Sequence, residues 1–242
     1  MDNTIRNIII SGASGTVGKQ LVKHLLKHDY RVIGLCHSEK GKSSILDELE
    51  ASHISAQNLN IYTGDLTCEE RVAALMKQSI EDLGSVDGFI SAVGRFNYQT
   101  IPNTSLEEYN MLMDANLKSP WLFARICLPE MMKQKKGRMI FISSSVTLTN
   151  GETGMGLYTA SKAALNALVN AMHQEVKSTD ICINAVLPSI INTQDNRSAM
   201  PTADHGTWVN PELLAQFIST FLEEQTAQVR GALIPYTAKL KI

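Results

Sequence analysis

What this chain has little of narrows its function before any motif is read. It carries four cysteines in 242 residues, Cys36, Cys68, Cys127 and Cys182, with no paired spacing. That excludes a disulfide framework and fits free thiols in a reducing compartment, so a cytoplasmic setting is expected. No apolar run reaches the roughly 18 residues that a membrane helix needs. No basic-then-apolar segment opens the sequence either, so neither a membrane span nor a signal peptide is expected. Charge of one sign is also lacking: the formal net charge is −2, and the short basic stretch Lys133–Arg138 reads as the polar end of a helix. Nucleic acid is therefore not an expected partner. The six histidines, at positions 24, 28, 37, 53, 173 and 205, show no zinc-ligand pattern, and no metal is expected. Repeats, low-complexity tracts and linkers are absent as well. With 44% hydrophobic residues, the expectation is one domain over residues 1–242 with a large core.

What is present is alternation. Apolar runs predict strands near 6–11, 31–36, 58–63, 86–91, 138–143, 181–187 and 231–236. Helical periodicity falls between them, near 16–28, 42–51, 68–83, 105–115, 117–135, 157–177 and 210–223. This order predicts an α/β fold with a doubly wound parallel sheet of about seven strands flanked by helices. Residues 188–210 form the longest irregular stretch, and connections of that length are commonly binding loops.

Two motifs carry chemistry. The first predicted strand ends at Ser11, and Gly12, Gly15 and Gly18 punctuate the turn into the first helix. Glycines there permit a tight turn and a close approach to a pyrophosphate at the positive end of the helix. Far downstream, Tyr158 and Lys162 stand four apart, so a phenol and an ammonium share one helix face. A cation beside a phenol stabilises its phenolate and makes it a usable general acid near neutral pH.

Together these segments resemble the short-chain dehydrogenase/reductase superfamily, and the likeness extends along nearly the whole chain. Gly64–Thr67 is similar to its adenine-positioning segment and Asp114–Leu117 to the segment with its catalytic asparagine. Gly137–Ser144 resembles the strand ending in its catalytic serine, and Ile183–Thr193 the strand and loop on the nicotinamide side. In layout the chain is most similar to 3-oxoacyl-[acyl-carrier-protein] reductases. The departures are Gly15-Thr16 where the family places its middle glycine at the second position, Ser91-Ala92-Val93-Gly94 for Asn-Asn-Ala-Gly, and Pro188-Ser189 for Pro-Gly.

The resemblance implies a Rossmann-type fold, a nicotinamide cofactor and a small-molecule carbonyl substrate, with a 3-oxoacyl or polyketide-type ketone, carrier-bound or free, among the options. It implies Tyr158 as proton donor, Lys162 as the residue that lowers its pKa and holds the ribose, and Asn116 as the anchor of a relay water. The substrate oxygen falls to a serine: strand register favours Ser144, whereas counting thirteen back from Tyr158 favours Ser145. Cofactor contacts are expected from Gly12, Ser14, Gly15, Thr16, Val17, Gly18, His37, Ser38, Asp65, Leu66, Ala92, Gly94, Asn116, Tyr158, Lys162, Pro188, Ile191 and Thr193. The second strand ends at Cys36-His37-Ser38 without a carboxylate at its tip, which favours NADP(H) over NAD(H). A catalytically silent NADP(H)-binding sensor or partner subunit is the competing reading, and the presence of Tyr158, Lys162, Asn116 and a serine weighs against it. Apolar residues of the helices near 117–135 and 157–177, Trp121, Leu122, Met131, Met132, Leu165 and Leu168 among them, exceed one stripe and predict a homodimer or homotetramer.

Overall fold

The computed structural model describes residues 6–149 and 151–238. Along the chain run β1 (Asn7–Ser11), α1 (Thr16–Lys27), β2 (Arg31–Cys36), α2 (Glu39–Ala51), β3 (Leu59–Thr63), α3 (Glu69–Leu83) and β4 (Gly88–Ser91). They are followed by α4 (Leu106–Met113), α5 (Ser119–Gln134), β5 (Lys136–Ile142), α6 (Gly156–Val176), β6 (Asp180–Pro188), α7 (Gln194–Ala199), α8 (Pro211–Ser219) and β7 (Leu233–Tyr236). The strands form one parallel sheet in the order β3-β2-β1-β4-β5-β6-β7.

Buried strands read as continuous apolar runs because both faces of the sheet are covered. Ile8 and Ile10 of β1 join a core with Leu21, Leu25 and Leu214 of α1 and α8. Ile9, on the opposite face, joins Phe89, Phe123, Leu165 and Val169 under α5 and α6. Phe89 stacks on Phe123 with ring centroids 5.6 Å apart. Each such fully buried aliphatic side chain contributes about 1.5–3 kcal/mol relative to exposure. Between β1 and β4 the chain order reverses, and the crevice that opens at the carboxyl ends there is the expected ligand position.

Three local features differ from the sequence expectation. The helices predicted over 105–115 and 117–135 are continuous through a π-turn at Asp114–Lys118, because the extra residue is absorbed as a wider turn rather than a break. α2 starts at Glu39, three residues early, because Ser38 caps it by accepting from Gly41 N at 3.3 Å. Residues 188–210 are not wholly irregular. Thr193 caps α7, and Ile191 bridges to Val209, an element too short to leave a periodicity.

Candidate active site

The glycine turn closes on itself and on the end of β4. Gly12 has φ +76°, and a Cβ there would meet the Ala92 carbonyl carbon and Val93 N at 2.7 Å. A Cβ on Gly18 would lie 2.2 Å from Gly12 O, so neither position accepts a side chain. Gly15 is under less constraint: φ is −69° and the nearest atom to a Cβ would be 3.4 Å away. It occupies the N-cap of α1, yet no side chain caps this helix and no acid stands in its first turn. The opening amides, those of Thr16, Val17 and Gly18, therefore lie where negative charge is favoured, and among the described residues neither a cap nor a first-turn acid supplies it. That geometry fits the pyrophosphate of a dinucleotide. Ser14 lies beside α2, its Oγ 2.9 Å from where a Gly41 Cβ would be.

At the tip of β2, His37 and Ser38 are exposed, and the Ser38 hydroxyl is engaged as the α2 cap. The nearby carboxylate of Glu39 is turned onto the Thr63 hydroxyl. Asp65 is exposed, and hydrogen bonds from the Thr67 hydroxyl and amide hold its carboxyl below the usual range, with His37 and Lys118 adding positive charge. Leu66 beside it is buried.

At the other end of the crevice, Lys162 is 4% exposed and its Nζ donates to the Ile142 carbonyl at 2.9 Å. Burial lowers its pKa to about 8. Asn116 is fully buried in the π-turn, donating from Nδ2 to Arg95 O and to Ser161 Oγ, each at 2.9 Å, and accepting from Arg95 N at 2.9 Å. A Cβ on Gly94 would lie 3.2 Å from Lys162 Nζ and 3.3 Å from Asn116 Oδ1, so the three residues share one corner. With both amide hydrogens committed, Asn116 fixes the Gly94-Arg95 turn through its side chain.

Burial raises the pKa of Tyr158, and a hydrogen bond with Ser144 works against that rise. Of the two candidate serines it is thus Ser144 that the fold sets beside the phenol. The resemblance implies that Lys162 lowers the phenol pKa; in the fold its ammonium donates to the Ile142 carbonyl at the end of β5. Desolvation dominates both groups as they stand. Ser161 Oγ, between them on α6, donates to Tyr158 O at 2.7 Å.

Phe96 is a site residue that sequence reasoning missed. It lies edge-on to Tyr158, with centroids 4.9 Å apart and an interplanar angle of 83°, and remains half exposed. Tyr98 covers Gly154, and Gln99 N donates to Gly154 O at 2.8 Å, which ties the segment after β4 to the one before α6. No local signal marks this crossing. On the β6 side Pro188 is buried, Ile191 is half-buried against Val209, and the Thr193 hydroxyl accepts from Asn196 N at 3.1 Å.

Of the apolar residues read as an oligomer surface, Leu122, Met131 and Leu165 belong to the core. Trp121 and Met132 stay exposed, and Leu117, Trp121 and Leu168 line a cleft of about 340 Å³ beside the π-turn. Periodicity alone does not separate the two groups. Among the described residues, no helix is long and apolar enough to cross a membrane and no three His, Cys, Asp or Glu converge as metal ligands.

The sequence model of the family described as short chain dehydrogenase matches residues 6–204. The chain is 26% identical over 231 residues to the 3-oxoacyl-[acyl-carrier-protein] reductase FabG of Vibrio cholerae, covering 92% of each. Its fold is similar to that of ElxO with NADP bound, with a TM-score of 0.86 and 22% identity over 96% of this chain and 97% of that one. NAD⁺-bound xylitol dehydrogenase is similar to the same degree, with a TM-score of 0.86 and 15% identity over 99% of this chain and 100% of that one. Two proteins with different cofactors thus share one backbone with this chain, and cofactor choice is a matter of side chains.

Proposed function

The chain belongs to the short chain dehydrogenase family, and on that premise we propose an NADP(H)-dependent oxidoreductase that reduces a ketone or aldehyde to the alcohol. The observation that carries this reading is the group at the carboxyl edge: the buried Tyr158 phenol, whose pKa Ser144 pulls down against burial, and one helical turn along a buried Lys162 that has a carbonyl and, among the described residues, no carboxylate as its partner. A cation desolvated without a counter-ion stabilises nothing by itself, which is the mark of a working site. The nicotinamide, when bound, supplies the hydride. Tyr158 donates the proton to the substrate oxygen, and Ser144 holds that oxygen by a hydrogen bond. Lys162, one helical turn along α6, supplies positive charge to this edge of the crevice as the phenol loses its proton, and Asn116 fixes the turn at Gly94 that walls the site. The uncapped start of α1 with Gly12, Gly15 and Gly18 receives the pyrophosphate. Asp65 and Leu66 would flank the adenine, Ala92 and Gly94 would floor the crevice, and Pro188, Ile191 and Thr193 would border the nicotinamide.

For NADP(H) we rely on the tip of β2, where His37 can donate to a 2′-phosphate and Glu39 is turned away onto Thr63. Phe96, Tyr98, Leu148 and Ile190 are exposed apolar residues on the segments that leave the sheet here, and they suit an apolar ketone such as a 3-oxoacyl thioester. The named relative in Vibrio cholerae supports the same class. The enzyme acts as one domain in the cytoplasm, as a homo-oligomer joined through Trp121 and Leu168. Light scattering giving a mass near the single-chain 26.6 kDa would reject that association. The decisive experiment is NADPH and NADH binding followed by cofactor oxidation across a panel of ketones and 3-oxoacyl thioesters. Tight NADPH binding with no turnover across the panel would instead favour a silent sensor.

A further inference from the structure

On the α1–α8 side of the sheet lies a cleft of about 570 Å³ that the mechanism does not use, lined by Lys23, His24, Lys27, His28, Glu212 and Glu223 among others. His24 lies in the last turn of α1 and His28 is its C-cap, so the two imidazoles are one turn apart on one face. Their ring centroids are 4.2 Å apart with a tilt of 35°. His28 Nδ1 is 2.8 Å from the His24 carbonyl oxygen. A carbonyl can only accept, so this contact puts the proton on Nδ1 and leaves the Nε2 lone pair of His28 free. Imidazoles that bind metals are held in this way, one nitrogen donating to a backbone carbonyl while the other faces the ion.

We propose that His24 and His28 chelate a divalent transition-metal ion, Cu(II) in preference to Ni(II) or Zn(II), at the C-terminal end of α1. Metal–imidazole bonds of about 2.0–2.1 Å need the two ligating nitrogens within roughly 4 Å of each other, which neighbouring rings reach by small side-chain rotations. The position suits a cation, because the negative end of the helix dipole lies there and Glu212 and Glu223 face His24 from across the cleft. Lys23 is drawn off by Glu48 at 3.4 Å, which leaves Lys27 as the opposing charge at the cleft. Two imidazoles leave the remaining coordination positions to water. The order of metals follows the intrinsic preference of imidazole sites.

The test is titration of the metal-stripped full-length protein with Cu(II), followed by calorimetry and by electron paramagnetic resonance. The expected result is one equivalent bound per chain with a spectrum split by two nitrogens. His24→Gln and His28→Gln should each weaken binding at least about tenfold, whereas Lys27→Gln should leave it unchanged or tighter. Melting temperature gives a second reading: Zn(II) should raise it in the unmodified protein and not in the double variant. Equal one-equivalent binding by H24Q/H28Q, or a spectrum without two nitrogen ligands, would overturn the proposal.

Discussion

Among the described residues two cationic side chains are buried in this fold, and they are treated in opposite ways. Arg138, at the amino end of β5, is 1% exposed and its Nη1 donates to Gly137 O at 3.0 Å and to Asp180 O at 2.9 Å. It also pairs with the carboxylates of Asp180 at 3.3 Å and Glu224 at 3.4 Å. Lys162, at the carboxyl edge, receives one carbonyl. A charge that serves the fold is neutralised where it is buried, because an unpaired one costs several kcal/mol. The charge left without a counter-ion is the one to which the proposed function gives a chemical role. The same contrast holds for helix starts: α4 has a complete capping box from Ser105 and Glu108, whereas α1 opens uncapped onto the crevice.

The sharpest way to break this contrast is at the phenol. Tyr158→Phe should lower kcat by about 10²–10⁴-fold while NADPH affinity, followed by fluorescence titration, stays nearly constant. Retention of more than about a tenth of the rate would remove Tyr158 from the role of proton donor. Ser144→Ala should cost on the order of 10²-fold and Ser145→Ala little, since the former faces the phenol; steady-state kinetics on both variants would show the reverse order if the assignment is wrong.

The two cations can then be compared directly by the same substitution. Arg138→Met should destabilise the protein by about 3 kcal/mol in urea unfolding, the low end for a buried pair because Glu224 and Asp180 reach solvent. Lys162→Met should leave stability unchanged or higher while abolishing turnover. Equal losses of stability would show that Lys162 is as structural as Arg138.

The smallest effect is the pH dependence of stability. Burial lowers the Lys162 pKa in the folded state to about 8 from 10.5 for an ordinary lysine, so the folded state binds fewer protons between those values. Stability from this group therefore rises with pH across that window, and below it the desolvation cost is fully present. From pH 7 to 9 the gain should be about 1 kcal/mol relative to Lys162→Met, read as a difference in urea midpoints. Turnover should fall over the same range as the ammonium loses its proton.

Much of this was legible because it is local. Strand–helix alternation, the glycine turn and the shared helix face of Tyr158 and Lys162 each follow from spacings of a few residues. The ends of elements were less legible: the cap at Ser38 competes with several plausible starts, and the π-turn at Asn116 looks like a break when helices are read at a fixed period. The ring of Phe96 over Tyr158 left no trace, since 62 positions of chain separate two residues that only the fold brings together.

By itself the sequence determined the order of strands and helices, the turn that leaves α1 open, and the phenol and ammonium on one face. Tertiary structure alone decided that Ser144 meets the phenol, that Lys162 lies buried against a carbonyl while Arg138 finds Asp180 and Glu224, and that His24 and His28 look into a cleft. The division has one cause. Periodicity and turn chemistry act over one or two turns of chain, whereas desolvation and pairing depend on which distant segments pack around a group.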